Sequence, residues 1–186
     1  MYETNAQLLN NVISNVESDM LALNNISNYV IFNTIIQENL IYLIDNKNSK
    51  KQAVAKRNVY EALYTYMFSN SYIKSISLVT DDTIITLGNS FTSDKIDLEQ
   101  INQKPIDDAG RVSWSSGASA NYSMLCTREI RQLKFLKLRK LAILYIDVDM
   151  DQIISDALID AGYTPDLVEF IVCQGNEQIY PNETSP

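Results

Sequence analysis

The first third of the chain carries apolar residues at helical spacing, with polar residues between them. The apolar stripe comprises Leu9, Ile13, Val16, Met20, Leu23 and Val30. This spacing places the stripe on one face of an amphipathic helix, which we predict over roughly 5–28. Such a helix is on the order of 35 Å long. It can be a core helix packed on a sheet, a connector that carries displacement towards a membrane, or both.

Two shorter helices are predicted to follow. The apolar run at 29–44 indicates the second helix, and apolar positions recurring through 52–68 indicate the third. The lysine-rich stretch 46–51 separates them. We interpret this stretch as a solvated loop rather than a phosphate-binding patch.

From Tyr72 onwards the pattern changes to period two, which is typical of strands. The β-branched runs 72–80 and 83–87, separated by Asp81-Asp82, predict a β-hairpin with an acidic turn. The polar segment 93–110 predicts a short helix that ends at Pro105.

Three further strands are predicted at 111–116, 122–132 and 141–148. After them, Asp149-Met150-Asp151 supplies an N-cap for a helix that ends at Gly162. A final hairpin is predicted from two short runs, 168–173 and 178–180, around Gly175-Asn176.

This element order predicts an α+β fold: a long N-terminal helix and a five-stranded antiparallel sheet with helices on one side. Alternating βαβ units and a glycine-rich phosphate loop are absent from the sequence. We expect a helical region at 1–70, a sheet unit at 71–150, and a connecting helix with the start of a second unit at 151–186.

Composition narrows the classes of function. The net charge of −8 argues against a nucleic-acid partner, because an acidic chain gains nothing from counterion release. The chain has no histidine, which excludes Ser-His-Asp or Cys-His catalysis within it and leaves no phospho-accepting histidine. We therefore predict a non-catalytic chain without a metal or cofactor.

The two cysteines, Cys126 and Cys173, are too few for a disulfide framework and too far apart for a metal-ligand motif. Both lie in apolar, strand-like runs. We expect two buried thiols, with a single disulfide as the alternative in an oxidising compartment.

The sequence contains neither a run of about 20 apolar residues, as needed to span a bilayer, nor a signal peptide. It begins within a helical pattern and ends in a polar tail. We expect it to be a segment of a longer chain.

The order and texture of these elements resemble the Cache sensor domains, which are extracytoplasmic relatives of PAS domains. The similarity is greatest to ectodomains of sensor histidine kinases from Gram-positive bacteria. It rests on the strand from Tyr72 to Val79, the strand with Trp114, Arg128-Glu129-Ile130, and the segment from Leu144 to Ile154. In that family a long helix precedes a five-stranded PAS-like sheet, whose last strand ends in acidic residues and leads into a helix.

The resemblance implies an ectodomain on the extracellular face of the membrane, whose parent chain is membrane-anchored and is a two-component sensor histidine kinase. It implies a small-molecule ligand or an extracellular protein as partner, and a homodimer through the N-terminal helix. The alternative is a protein-interaction or structural ectodomain of a chemoreceptor or diguanylate cyclase, with Tyr60, Tyr64 and Tyr66 as an exposed patch.

PAS-like sensors bind small molecules between the sheet and the elements that cover it, which makes Trp114, Tyr122, Arg128 and Asp147 the candidate ligand-binding residues. Arg128 could clamp a carboxylate, or be a surface or ion-paired arginine. The two aromatic side chains could line a pocket or belong to the core. Asp147 shares a strand face with Asp149, so the pair could bind an ammonium group or a cation, or could end the strand and cap the helix.

Overall fold

Helices and antiparallel strands make up the part of the chain that the computed structural model describes, namely residues 2–46, 49–88, 110–116, 123–133, 139–165 and 169–181. The helices are α1 (Tyr2–Phe32), α2 (Thr34–Asp45), α3 (Ser49–Met67) and α4 (Met150–Asp160). The strands are β1 (Ile73–Val79), β2 (Ile84–Gly88), β3 (Ser113–Ser116), β4 (Ser123–Arg131), β5 (Lys140–Asp149), β6 (Val172–Gln174) and β7 (Glu177–Tyr180).

The N-terminal helices are confirmed, with shifted boundaries. α1 runs for 31 residues and continues to Phe32, where Asn33 interrupts it. The Asn33 side chain accepts a hydrogen bond from the backbone N–H of Ile36 at 3.1 Å and so caps α2. The expectation of a loop through residue 51 was wrong, because Lys50 and Lys51 already belong to α3. Lysine is a good helix former, so a lysine-rich stretch alone does not end a helix.

The predicted five-stranded antiparallel sheet is confirmed, and its strand order is β2-β1-β5-β4-β3. β5 lies at the centre between β1 and β4, and all but its two end residues are buried. The predicted helix within 93–110 lies almost wholly outside the described residues.

One face of this sheet packs against all four described helices. Ile76, Leu78, Leu144 and Ile146 on this face form one core with apolar residues from every helix. The predicted apolar stripe of α1 is only partly buried. Val12 and Val16 are in the core, whereas Leu9 and Ile13 are 40% and 45% exposed. At this end α1 packs mainly on α4, which covers only part of its apolar surface.

The helix and the hairpin predicted after the sheet are both present, but β6 begins at Val172, and residues 169–171 of the predicted strand lie outside it. The Asp149 carboxylate accepts a hydrogen bond from the backbone N–H of Gln152 at 3.1 Å and caps α4. Gly162 follows the helix at a φ of +80°. β6 and β7 pair as a hairpin around Gly175-Asn176, and the Ser116 hydroxyl of β3 donates to the carbonyl of Ile179 at 3.2 Å.

Both cysteines are free thiols. Cys126 is buried on the helix-facing side of β4, as expected. Cys173 is exposed, so the expectation of burial was wrong for this residue. The β6–β7 hairpin is too short to cover both of its own faces. Within the described residues, no helix combines the length and apolar character that crossing a bilayer requires.

Candidate ligand-binding site

The sheet has two chemically different faces, because successive side chains of a strand point to opposite sides. On β5, Leu144, Ile146 and Val148 face the helices and are part of the core. Ile143 and Tyr145 lie on the opposite face in a separate small cluster with Val79. Asp147 follows the same alternation and therefore also lies on the face away from the helices.

Strand register brings polar residues together on that second face. Ser75 of β1 is opposite Asp147 of β5, and Ser77 is opposite Tyr145. Residues directly opposite each other in an antiparallel pair have Cβ atoms about 4.5–5.5 Å apart. We call the resulting group the polar face: Ser75, Ser77, Thr86, Thr127, Tyr145 and Asp147.

The centre of the polar face is withdrawn from solvent. Ser75, Ser77 and Asp147 are at most 1% exposed, and Tyr145 is 3% exposed. Burial raises the pKa of the Tyr145 phenol well above its usual value, so the hydroxyl stays protonated and able to donate a hydrogen bond. Four buried side chains with polar atoms therefore lie side by side on two central strands.

The two serines of the polar face differ in their hydrogen bonding. The Ser77 hydroxyl is paired with the hydroxyl of Thr86 at 3.0 Å. The Ser75 hydroxyl is buried and has no hydrogen-bond partner among the residues that the structure describes. Leaving such a group unsatisfied costs about 1–3 kcal/mol, so this hydroxyl is suited to bonding a guest molecule.

Of the three predicted ligand-binding residues that the structure describes, only Asp147 belongs to the polar face. Trp114 is opposite Cys126 in the β3–β4 pair, which places it on the helix-facing side, where it packs against the core. Arg128 also lies on that side. Tyr122 lies outside the described residues.

Arg128 binds other parts of the fold. Its Nε donates to the carbonyl of Gly110 at 2.6 Å, and one terminal nitrogen donates to Ser27 Oγ at 3.0 Å and to Asn28 Oδ1. Burial lowers the pKa of the guanidinium. Because two of its three guanidinium nitrogens make these bonds, Arg128 joins β4 to α1. It does not present unbonded N–H groups on two of its nitrogens for bidentate binding of a carboxylate.

Asp149 has a structural role as well. Besides capping α4, its carboxylate forms an ion pair with Lys74 at 3.0 Å. The predicted capping is confirmed for Asp149. The alternative that Asp147 also ends the strand is wrong, because β5 continues to Asp149.

Sequence reasoning missed Ser75, Ser77 and Tyr145 as members of one site. Their signal was the alternation itself: the two serines alternate with Ile76 and Leu78, and Tyr145 and Asp147 alternate with Ile146. Which strand lies beside β5 depends on the sheet order, and the sequence does not carry that order in any short motif.

No group of three or more Asp, Glu or Cys side chains among the described residues is arranged to hold a metal ion. The polar face instead offers hydroxyls and one carboxylate, a set suited to hydrogen-bond donors and to a positively charged group. No protein-family model matches the chain, and no curated protein matches its sequence significantly.

Proposed function

We propose that this chain is the extracytoplasmic sensing module of a membrane receptor, a sensor histidine kinase, and that it binds a small amine on the polar face of its sheet. The observation that carries the proposal is the buried Ser75 hydroxyl, unsatisfied within the described structure, opposite the buried carboxylate of Asp147. The chain has no histidine, so catalysis that depends on a histidine general base cannot take place within it.

The receptor part of the proposal is supported by the order of the elements. A long helix precedes a five-stranded antiparallel sheet, and the last strand ends at Asp149, which starts a further helix. This is the order that the resemblance to Cache domains implies. Arg128 supplies a direct connection between the sheet and the long helix. A bound solute can shift the helix relative to the sheet only if it binds one arrangement of the two elements more tightly than another.

Thermal-shift measurements with a panel of amino acids and diamines test the ligand class, with dicarboxylates and sugars as comparison compounds. We expect an amine to raise Tm and the dicarboxylates to have no effect, because Asp147 favours a positive charge. If no amine shifts Tm, or if dicarboxylates do, the amine assignment is wrong.

Two serine variants locate the site. Ser75→Ala removes an unsatisfied hydroxyl, so the ligand-free protein should keep its stability while the amine-induced shift in Tm is lost. Ser77→Ala is the matched control, because it breaks the bond to Thr86 and should lower Tm without a ligand. Equal responses of the two variants to the amine would contradict the placement of the ligand at Ser75.

One observation favours a second candidate, an interaction module without a solute. Tyr60 and Tyr64 of α3 and Phe68, which directly follows the helix, form an exposed row at four-residue spacing, and Tyr64 and Phe68 have ring centroids 4.2 Å apart. Tyr66, expected in the same patch, instead accepts a hydrogen bond from Asn33 at 2.8 Å. A protein partner lost on Tyr64→Ala, together with no solute response, would favour this candidate.

A further inference from the structure

An open apolar groove lies between α1, from Leu9 to Asn24, and the segment 169–173. Its volume is about 710 Å³. Leu9, Ile13 and Leu21 line it from α1, and Phe170 and Ile171 line it from the other side. Four of these five side chains, all except Phe170, are at least 40% exposed. A continuous exposed apolar surface of this kind is typical of a binding site, in contrast to scattered single residues.

The described residues that line the groove include acidic but no basic side chains. All Lys and Arg residues fall between positions 47 and 140. The charged side chains of 1–46 and 141–186 are therefore all Asp or Glu. These two segments supply α1, α2, α4 and the β6–β7 hairpin. Glu17 and Glu169 line the groove itself. The groove therefore combines an apolar floor with negative charge at its walls.

Two further polar side chains of α1, those of Asn24 and Asp19, lie at or near the groove. Asn24 lines the groove, and its side-chain oxygen is buried with no hydrogen-bond partner in the described part of the chain. Next to the groove on α1, Asp19 lies close enough to Asp156 of α4 that burial and this second carboxylate raise its pKa.

We propose that this groove binds a basic amphipathic peptide segment of a partner protein, with apolar side chains in the groove and Lys or Arg side chains against Glu17 and Glu169. The groove extends along α1 from Leu9 to Asn24, about 22 Å at helical rise, which is enough for an amphipathic helix of four turns. A second copy of this chain is a poorer occupant, because its own groove would bring Glu17 against like charge.

This proposal concerns a different surface from the polar face and does not depend on binding of an amine. Its test uses a synthetic amphipathic Leu/Lys peptide with helical spacing, and measures binding to the intact chain by fluorescence anisotropy. Comparison peptides are the same pattern with Glu in place of Lys and a scrambled Leu/Lys peptide. We expect only the amphipathic Leu/Lys peptide to bind, with an affinity that falls as salt rises.

Variants separate the groove from general attraction to an acidic protein. The double variant Glu17→Lys/Glu169→Lys should weaken binding by about tenfold or more. Asp81→Lys/Asp82→Lys changes net charge by the same amount in the exposed β1–β2 turn and should leave affinity within about twofold. Leu21→Ser/Ile171→Ser should weaken binding, whereas Ile35→Ser/Ile159→Ser, at similarly exposed positions outside the groove, should not.

Several outcomes overturn the proposal. If the Leu/Glu peptide binds as tightly as the Leu/Lys peptide, charge does not select the ligand. If the scrambled Leu/Lys peptide binds as tightly, helical spacing does not. If Glu17→Lys/Glu169→Lys and Asp81→Lys/Asp82→Lys lose the same amount of affinity, the attraction comes from net charge alone. Binding to anionic lipid vesicles without binding of the peptide in solution assigns the groove to a membrane surface. If a groove variant fails to fold, the comparison of peptides on the wild-type chain still decides.

Discussion

At the residue scale, Gly88 shows how one position fixes the approach of two strands. It lies opposite Ser75 at the end of β2, at a φ of +99°. A Cβ atom there would overlap the carbonyl oxygen of Lys74 and the Cα of Ser75. Glycine is thus required both for the backbone conformation and for the close contact that holds β2 beside the polar face.

We expect Gly88→Ala to lower the free energy of unfolding by about 2–4 kcal/mol, because conformational strain and steric overlap add. Gly175→Ala is the control. Its φ is +63°, but a Cβ would meet nothing within 4 Å, so it should cost only about 1 kcal/mol. Denaturant unfolding measures both values. A cost at Gly88 no larger than at Gly175 would show that β2 can move away from β1.

The two thiols differ in reactivity for a physical reason. Burial raises the pKa of Cys126 to about 12, so almost no thiolate forms there near neutral pH, whereas Cys173 is exposed. We expect one thiol per folded chain to react with a disulfide reagent at mildly alkaline pH, and two after unfolding. Cys173→Ser should abolish the reaction of the folded chain. Reaction of that variant at the native rate would contradict burial of Cys126.

At the element scale, two polar side chains tie α1 to the rest of the fold. Arg128 bonds β4 to Ser27 and Asn28, near the end of α1. Gln37 of α2 donates to the carbonyl of Ile31 at 2.9 Å and to that of Arg131 at 3.0 Å. Both contacts hold the C-terminal part of α1, leaving its N-terminal half to α4 and to the groove.

We expect Arg128→Met to lower the free energy of unfolding by about 2–3 kcal/mol, since it removes charge-assisted hydrogen bonds from a partly buried site. Amide hydrogen exchange in the last turns of α1 should also become faster. Arg139→Met is the control, because its pair with Asp45 is about half exposed, and it should cost at most about 1 kcal/mol. Unchanged exchange in α1 would mean that Arg128 does not hold the helix to the sheet.

The contact between α1 and α4 is electrostatically unfavourable at neutral pH. Burial, with Asp156 nearby, raises the pKa of Asp19 above its usual 3.8. The folded state therefore favours the protonated carboxyl of Asp19. The contribution of this group to the free energy of unfolding falls as pH rises through its folded pKa. We expect Asp19→Asn to be more stable than the wild type at neutral pH.

The advantage of Asp19→Asn should shrink as pH falls towards 3.8, because the folded wild-type carboxyl takes up its proton above this value. Urea unfolding across this range measures the difference. Glu17→Gln, an exposed carboxylate on the same helix, is the control and should show little change. A difference that grows at low pH would have the wrong sign and would contradict the raised pKa.

At the scale of the whole molecule, one core joins regions that lie far apart in the chain. It includes Val12 of α1, Leu63 of α3, Ile146 of β5 and Ile179 of β7. A shared core predicts one cooperative unfolding transition.

Circular dichroism reports the helices, and fluorescence of Trp114, the only tryptophan, reports the sheet. We expect the two unfolding curves to coincide in denaturant. Separate midpoints would mean that the helical region and the sheet unfold independently.

Periodicity in the sequence predicted most elements and the fold class, because burial of one face imposes a period of 3.6 on helices and of 2 on strands. The candidate site was less predictable. Arg128 and Asp147 both stood out as charged residues in apolar strands, yet they lie on opposite faces of the sheet. Their separation follows from the register of β4 against β5, which depends on contacts distant in sequence.

At 31 residues, α1 is about 46 Å long at helical rise. Val12, Val16, Leu23 and Val30 are spread along it, and all four belong to the core that the sheet also forms. A tilt of the helix alone would open gaps in this core, which close-packed interiors resist. Any displacement of the sheet that preserves the core would therefore carry the whole of α1 with it as one body.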